Sequence, residues 1–600
     1  MRLRYLHLQN YPPISDIKVC FASGSPLARD CAIRFVVGVN GSGKSNLLRA
    51  VAEVFLALAD ERLPPFPVSL MYELGRRGHS DHHTFLIDCP GTKSEASIWV
   101  SSGFFWPDDT PAERLENAIE LMRANTGPGP NGFAALVPRG TWPQSPGIAM
   151  PKAVLAYTTG DLRPWRSVWS RNQDAQGLLE ASDDTLGDER PAGWTNAQEA
   201  MLEAVRKEAR GTAQNGQNFA ETDAGSFRRP ILLDATLLKC ALLAVALPQA
   251  FVETSDYPAR AEIDLAMAKL RRRDDNKNAL QELLERGGWH HLVSVGFRSR
   301  LQTATWDRKL RETAHDWWLC AGEVVSEPHP LEARRTVIFD LKGAFNPMDL
   351  PTRSAASDEL ATCATQGEAL WVLLGGAKDA TRFELFTRLL ELNQAGLFDD
   401  VLLRLRGQPV ADAGTETAPG QDIGVLRYEE LSDGEQMVLG RMALFHLLEG
   451  QQDALLLLDE PETHFNDKWK REIVDIIDEA IGNTANDVLI STHSAIVLSD
   501  VFSDEIVMVQ KTNAGSVAVT IEDKTFATDP SELMVRIFGA HDSIGKRAEE
   551  YIESLMDPAK GTELDVAKIK ALVEEMGSGY YRSELRTILN RLEREGPKDA

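Results

Sequence analysis

The eight residues Gly38-Val39-Asn40-Gly41-Ser42-Gly43-Lys44-Ser45 constrain this chain more than any other stretch. An apolar run, Ala32-Ile33-Arg34-Phe35-Val36-Val37, leads into them. A segment from Lys44 to about Ala59 leads out, with Leu47, Leu48, Val51, Val54, Phe55 and Leu58 at helical spacing. Glycines at such a junction let the backbone turn through positive φ. Strand, glycine loop and helix in that order are the beginning of an α/β sheet, with the loop at the carboxyl end of a strand. A second stretch agrees. Leu455-Leu456-Leu457-Leu458 has no polar face, so it reads as a central parallel strand covered on both sides. It ends in Asp459-Glu460, and the carboxyl ends of such strands are where ligands bind. Val488-Leu489-Ile490 is a further strand of this kind and runs into Ser491-Thr492-His493-Ser494.

Around this frame the chain divides into four segments. Residues 1–164 and 424–560 read as two halves of one α/β head, 165–423 as a mixed α+β insertion, and 561–600 as a helical tail. Strands are expected at 2–8, 15–21, 83–88, 96–101 and 152–158, the last ending in Tyr157-Thr158-Thr159-Gly160. Helices are expected at 111–124, 196–209, 234–248, 258–287 and 379–395. Residues 290–345 read as strand-like, and 126–148 and 407–422 as loops rich in Gly and Pro. The helical stretches are short and broken, with no sustained heptad, so no long coiled coil is expected.

The 600 residues suffice for several domains, and 43% apolar with 26% charged content is ordinary for a globular protein. A net charge of -25 argues against a uniformly basic nucleic-acid binder but leaves room for a local basic surface, for which Arg271-Arg272-Arg273, Arg298 to Arg311 and Arg334-Arg335 are the candidates. Six cysteines are scattered without a CxxC pair, which suggests neither a zinc ribbon nor a disulfide framework. The chain opens on a strand-like alternation rather than a signal peptide. Its best apolar run, Cys240 to Leu247, is too short to span a bilayer. A cytoplasmic protein without membrane contact is the expectation.

The polar residues at the strand ends suit phosphate chemistry. Backbone N–H groups of a glycine loop turn inward around phosphate oxygens, so Asn40, Gly41, Ser42, Gly43, Lys44, Ser45 and Asn46 are the candidate nucleotide-binding residues. Lys44 would place a cation on the β- and γ-phosphates, and the Ser45 hydroxyl together with Asp459 would serve Mg²⁺. Glu460 is placed to act as general base toward an attacking water, and His493 to hydrogen-bond a γ-phosphate. In Leu431-Ser432-Asp433-Gly434-Glu435-Gln436, Ser432 and Glu435 have the spacing of a capping box ahead of an apolar helix. That helix N-terminus, with Ser432, Gly434 and Glu435, could also face a phosphate.

Together these stretches resemble the ATP-binding-cassette ATPase heads of the RecF, SMC-like and OLD-like group: an ABC-type P-loop NTPase head. Gly38 to Ser45 matches Walker A, Leu431 to Gln436 the signature, Leu455 to Glu460 Walker B, and His493 the switch histidine. Asp433 departs from the glycine often found at its position. The resemblance implies ATP and Mg²⁺ as ligands, and a two-fold homodimer in which the signature of one subunit completes the other's site. It also implies a dimer-crossing loop containing Glu462, His464, Phe465 and Asn466. A narrower resemblance, to restriction-system-associated AAA family ATPases, is carried by Tyr428 to Gln436, Arg441-Met442-Ala443-Leu444-Phe445-His446, Ile537-Phe538-Gly539 and Asp542-Ser543-Ile544-Gly545. It implies bacterial defence against phage or foreign DNA, with a partner effector such as a nuclease encoded nearby and DNA as a further possible ligand. A DNA-repair or chromosome-maintenance ATPase and a nucleotide-gated scaffold are the competing readings. After Ser494 no Asp-x-Asp pair follows, so no nuclease site is expected in this chain. His79, Asp81, His82 and His83 read as a polar loop rather than a metal site.

Overall fold

The computed structural model of the protein describes residues 1–21, 30–91, 96–103, 112–124, 132–137, 150–170, 229–250, 289–300, 306, 308–327, 334–346, 360–376, 381–407, 425–512, 515–519, 521, 523–540, 545–556, 566–577 and 580–595. In chain order the strands are β1 (Arg2–Tyr11), β2 (Ile14–Cys20), β3 (Ala32–Val37), β4 (Val68–Leu74), β5 (His83–Cys89), β6 (Ser97–Ser102), β7 (Ala134–Val137), β8 (Ala153–Thr158), β9 (Ile231–Leu233), β10 (Trp289–Arg300), β11 (Glu323–Glu327), β12 (Arg334–Asp340), β13 (Asp400–Gly407), β14 (Val425–Arg427), β15 (Ala454–Asp459), β16 (Asp487–Thr492), β17 (Ile506–Thr512) and β18 (Gly515–Val519).

These strands form three sheets. A seven-stranded sheet has the order β18-β17-β3-β16-β15-β8-β9, a six-stranded one β2-β1-β4-β5-β6-β7, and a five-stranded one β11-β12-β10-β13-β14. In the first, β17, β3, β16, β15, β8 and β9 run parallel, and only the edge strand β18 is antiparallel. N- and C-terminal parts of the chain thus interleave in one sheet, and the α/β class read from the sequence is the one observed. No long coiled coil occurs among the described residues.

The all-leucine strand shows why the sheet sits at the centre. Leu455 and Leu457 enter a core shared with the helix Lys44–Ala59 and the six-stranded sheet, alongside Leu47, Val51, Leu3 and Leu6. Leu456 and Leu458 enter a second core on the opposite face, with Leu242 and Leu439 of the helices Ala235–Ala250 and Asp433–Leu447 and with Val295 and Phe297 of β10. Side chains alternate across a strand, so covering both faces demands apolar residues at every position.

The structure differs from the sequence reading in several elements. Strand β9 and the helix Ala235–Ala250 lie within the 165–423 span, yet β9 pairs with β8 in the head sheet and the helix is part of its core. The helix Arg308–Cys320, with Ala314, Trp317 and Cys320 buried, interrupts the strand-like 290–345 region. Strand β4 was not expected, although Val68, Leu70, Tyr72 and Leu74 alternate with Ser69, Met71 and Glu73; all seven residues are buried. The helices Lys546–Met556, Val566–Glu575 and Tyr580–Glu595 share a small core of Ile552, Ile569, Val573, Leu585 and Leu589, so the tail begins before residue 561. The helices expected at 196–209 and 258–287, most of the 407–422 loop, Arg271-Arg272-Arg273 and Asp542 to Ile544 lie outside the described residues.

Candidate functional site

The parallel register brings the polar strand ends to one level. Asp459 lies opposite Thr158 of β8 and Ser491 of β16, and Thr492 lies opposite Val37 of β3, one residue before the glycine loop. The loop itself is bent by Gly38, Gly41 and Gly43, at φ 152°, 76° and 104°. At Gly38 a Cβ would lie 2.2 Å from the Val509 carbonyl oxygen of the neighbouring strand β17, so no side chain fits there. The hairpin β17–β18 also fastens the loop from the side, where the Ser516 hydroxyl donates to the Ser42 carbonyl at 2.6 Å.

Lys44 begins its helix and turns back over the loop, donating to the carbonyls of Gly38 at 3.0 Å and Val39 at 3.3 Å. Burial lowers its pKa from the usual lysine value, and the carboxylates Glu460, Asp459 and Glu462 oppose that shift. Ser45 donates to Asp459 Oδ1 at 2.8 Å. Asp459 is otherwise enclosed by donors: Ser491 Oγ at 2.6 Å, Thr158 Oγ1 at 3.1 Å and Trp165 Nε1 at 3.4 Å. Asn40 and Gly41 are exposed at the loop tip. Asn46 Oδ1 accepts from Arg49 in the first turn of the helix.

Glu460 follows at φ 50°, a left-handed conformation that turns its side chain out of the strand's alternation. Its amide donates to the carbonyl and the hydroxyl oxygen of Ser491, both at 3.1 Å, which pins that turn. Its carboxylate pairs with His493 Nε2 at 3.1 Å, and both side chains are about one-third exposed (38% and 31%). The hydrogen bond with His493 holds the Glu460 carboxyl below the usual glutamate range. Burial opposes the shift, and the charges of His493 and Lys44 add to it. Adjacent acids therefore have different settings: Asp459 is locked by four donors, and Glu460 is ionised beside a histidine at the surface of the site.

Glu462 carries an interaction that the motifs did not announce. One carboxylate oxygen accepts from the Thr492 hydroxyl and from the His493 amide at 3.4 Å, tying the turn after β15 to the end of β16. Burial pushes its carboxyl up from the usual range, while the hydrogen bond from Thr492 opposes the shift. With Phe465 buried as well, two of the four residues expected in a dimer-crossing loop face their own subunit. His464 and Asn466 are exposed, and Asn466 caps the helix Asp467–Ile481. Thr158 and Trp165 were likewise missed as partners of Asp459. The only signal for Thr158 was its place at the end of a strand, and the helix Arg163–Ser170 that carries Trp165 had no pattern of its own.

The signature segment forms the capping box its spacing implied. Ser432 Oγ accepts from the Glu435 amide at 3.3 Å, and Glu435 Oε2 accepts from the Ser432 amide at 2.9 Å and its hydroxyl at 2.8 Å. Ser432 and Asp433 are exposed, and the side-chain bonds of Ser432 and Glu435 stay within the cap. Behind the cap, Arg441 is fully enclosed, with Nε on the Tyr157 hydroxyl at 3.1 Å and Nη1 on the Thr463 carbonyl at 3.1 Å. No group of three or more metal-ligating side chains occurs among the described residues.

A nucleotide with Mg²⁺ fits these residues. Ser42 presents a buried hydroxyl with no hydrogen-bond partner among the described residues, and Gly41 has open space where a Cβ would stand. Ser45 and Asp459 supply an oxygen-only pair, the donor set of an ion that takes its remaining ligands from water and phosphates.

A family model described as "AAA domain, putative AbiEii toxin, Type IV TA system" matches residues 369–500, a span that contains the signature helix, β15, β16 and His493 but not the glycine loop. No curated protein matches in sequence. Among solved structures, an Smc head bound to the C-winged helix domain of ScpA is 11% identical, with a TM-score of 0.29 over 87% of this chain and 98% of that one. The SMC head domain from Thermotoga maritima is 12% identical, with a TM-score of 0.28 over 87% of this chain and 100% of that one. Identities and TM-scores this low leave the fold assignment resting on strand order and loop geometry.

Proposed function

We propose that this chain is an ATP-dependent switch: it binds ATP with Mg²⁺, dimerises around it, hydrolyses it, and through that cycle controls a partner effector in bacterial defence. The observation that carries the reading is the division of labour at the end of β15, where Asp459 is held by Ser45 and Glu460 is turned toward His493. Lys44 and the loop amides bind the phosphates; Mg²⁺, when bound, neutralises charge on them. Ser45 and Asp459 orient the ion. Glu460, ionised by its environment, accepts the proton of the attacking water, and His493 orients Glu460 and can donate to a phosphate oxygen.

The cap, exposed at Ser432 and half-buried at Gly434, supports the shared site, because a helix N-terminus is an anion site whose bonds here do not reach the chain's own loop. The name of the matched family model, with its toxin of a toxin–antitoxin system, supports a defence role.

Two variants test this. Lys44→Ala should lose ATP binding in calorimetry. Glu460→Gln should keep ATP binding while kcat falls about 10²–10⁴-fold, the usual contribution of a general base. With ATP and Mg²⁺, Glu460→Gln should also run as a dimer in light scattering. A monomer under those conditions sinks the shared-site reading.

A further inference from the structure

We propose that Phe538 is a positioning residue for ATP hydrolysis, holding the His493 imidazole in the orientation that meets Glu460. The inference rests on the role of Glu460 and His493 in that reaction and adds a residue to it. Ile537-Phe538-Gly539 is one of the motif stretches of the sequence, yet it takes no part in holding the nucleotide. It lies far along the chain from the strand ends of the site. The Phe538 ring nevertheless returns to them. Its centroid is 6.3 Å from that of His493, with 35° between the ring planes. Attractive ring pairs have centroids roughly 4.5–7 Å apart.

His493 needs such a neighbour. Strand β16 ends at Thr492, so the ladder does not fix the histidine that follows. The His493 amide donates to Glu462 at 3.4 Å, which restrains the backbone but leaves both side-chain torsions free. The imidazole meets Glu460 through Nε2 at 3.1 Å, and both side chains are partly exposed. One hydrogen bond between two such groups holds the ring at a single atom. Contact with the Phe538 ring supplies a second restraint, on the body of the imidazole.

Phe538 can act as a restraint because its own segment is anchored apart from the site. The helix Pro530–Arg536 starts at Asp529, whose carboxylate accepts from the Ser531 amide at 2.8 Å, and Pro530 fits the first turn. Leu533 and Ile537 are four residues apart, so they share one face. Both are buried in the core that holds Leu458 of β15 and Ile490 of β16. After Phe538 the chain turns at Gly539, at φ 67°, and the Ala540 amide donates back to the Met534 carbonyl at 3.1 Å. Phe538 is thus gripped between a buried neighbour and a closed turn. Filling the core does not account for its ring. Ile537 does that at 3% exposure, whereas Phe538 stays half-buried beside the histidine.

Steady-state ATP turnover of the full-length protein with Mg²⁺ tests this. Phe538→Ala should lower kcat roughly tenfold and leave KM for ATP within about twofold, because a misplaced group loses transition-state geometry rather than nucleotide binding. Phe538→Leu keeps apolar bulk without the ring. It should lose turnover to a similar extent, with the parent's melting temperature and calorimetric ATP affinity. His493→Ala should itself lower kcat, and adding Phe538→Ala to it should cost nothing further, since no imidazole is left to hold. A Phe538→Leu variant with parental turnover overturns the proposal and leaves Phe538 as packing. So does one whose ATP affinity falls together with its turnover, which would make Phe538 a support of the whole site. A loss that adds in full to that of His493→Ala overturns it too. If His493→Ala turns over like the parent, the reading of His493 fails and this inference with it; a drop in His493→Ala without one in Phe538→Leu strikes the inference alone.

Discussion

The seven-stranded and five-stranded sheets share one hydrophobic core but expose opposite chemistry. The parallel sheet buries both faces and presents chemistry only at its strand ends, where Lys44, Ser45, Asp459, Glu460 and His493 meet. The antiparallel sheet buries one face and on the other intersperses charges of both signs with Ser294, Thr336, Ile338 and Leu402, Arg300 pairing with Asp399 and Arg298 lying opposite Asp400. In the first, function is concentrated in a few positions fixed by backbone register. In the second, charge is spread, and each residue contributes little. Substitutions should divide the same way, with sharp losses of turnover from the strand ends and small, graded changes of stability from the open face.

The largest effect on stability should come from the core that joins the two sheets. Phe297 packs edge-on against Trp317 at 4.5 Å, Phe398 at 5.1 Å and Phe339 at 6.1 Å. Phe297→Ala should cost about 3–5 kcal/mol, measured by chemical denaturation. Because the same cluster contains Leu456 and Ile490 of the ATP-site sheet, unfolding should remain a single transition. Two transitions, with ATP binding surviving the first, would show that the five-stranded sheet is a separate folding unit and would break the comparison.

A smaller effect separates the two acids of β15. The bond from His493 holds the Glu460 carboxyl down, with burial acting the other way. The proposed cycle needs Glu460 ionised, so the acid limb of kcat/KM should fall as pH drops through its pKa, below the ordinary glutamate value of about 4.3. His493→Ala removes the largest depressing cause and leaves the burial, so the limb should move to higher pH. A limb that stays in place would mean that another group controls it. The same shift bears on stability: a depressed carboxyl stabilises the fold above its unfolded pKa and loses that contribution as pH falls through the folded one. The half-exposed position keeps this term small.

Legibility followed the same division. Strands β15 and β16 were readable because apolar runs end abruptly in polar residues, β3 because an apolar run interrupted only by Arg34 meets the glycine loop, and the helix Lys44–Ala59 because its apolar stripe has one period. Strand β4 carried an alternation broken only at Met71 and was overlooked because no terminal polar cluster drew attention to it. The helix Arg308–Cys320 was hidden because its buried residues are only Ala314, Trp317 and Cys320, behind a first turn dominated by Arg308, Lys309, Arg311 and Glu312. At the site, residues with motif spacing were found. Those brought in by register alone were not: Thr158 reaches Asp459 only because β8 pairs with β15, and Glu462 reaches Thr492 only because the turn after β15 folds back on β16. A linear sequence marks periodicity and local caps, but not which strand ends will be neighbours.

The signature cap offers the smallest effect and the finest discrimination. Ser432 has a structural role that the geometry fully explains, since its hydroxyl and amide exchange bonds with Glu435. Ser432→Ala should therefore destabilise the protein by about 1 kcal/mol, as loss of an N-cap does. Ser432→Asp restores a capping acceptor and should recover that stability. The two variants then diverge if Ser432 also meets a phosphate held by a second subunit. The alanine variant loses a donor, while the aspartate brings a negative charge to the phosphate and should suppress ATP-dependent dimerisation further, despite its sounder fold. If light scattering shows Ser432→Asp dimerising with ATP as the parent does, Ser432 is only a cap, and the shared site must be built from other residues.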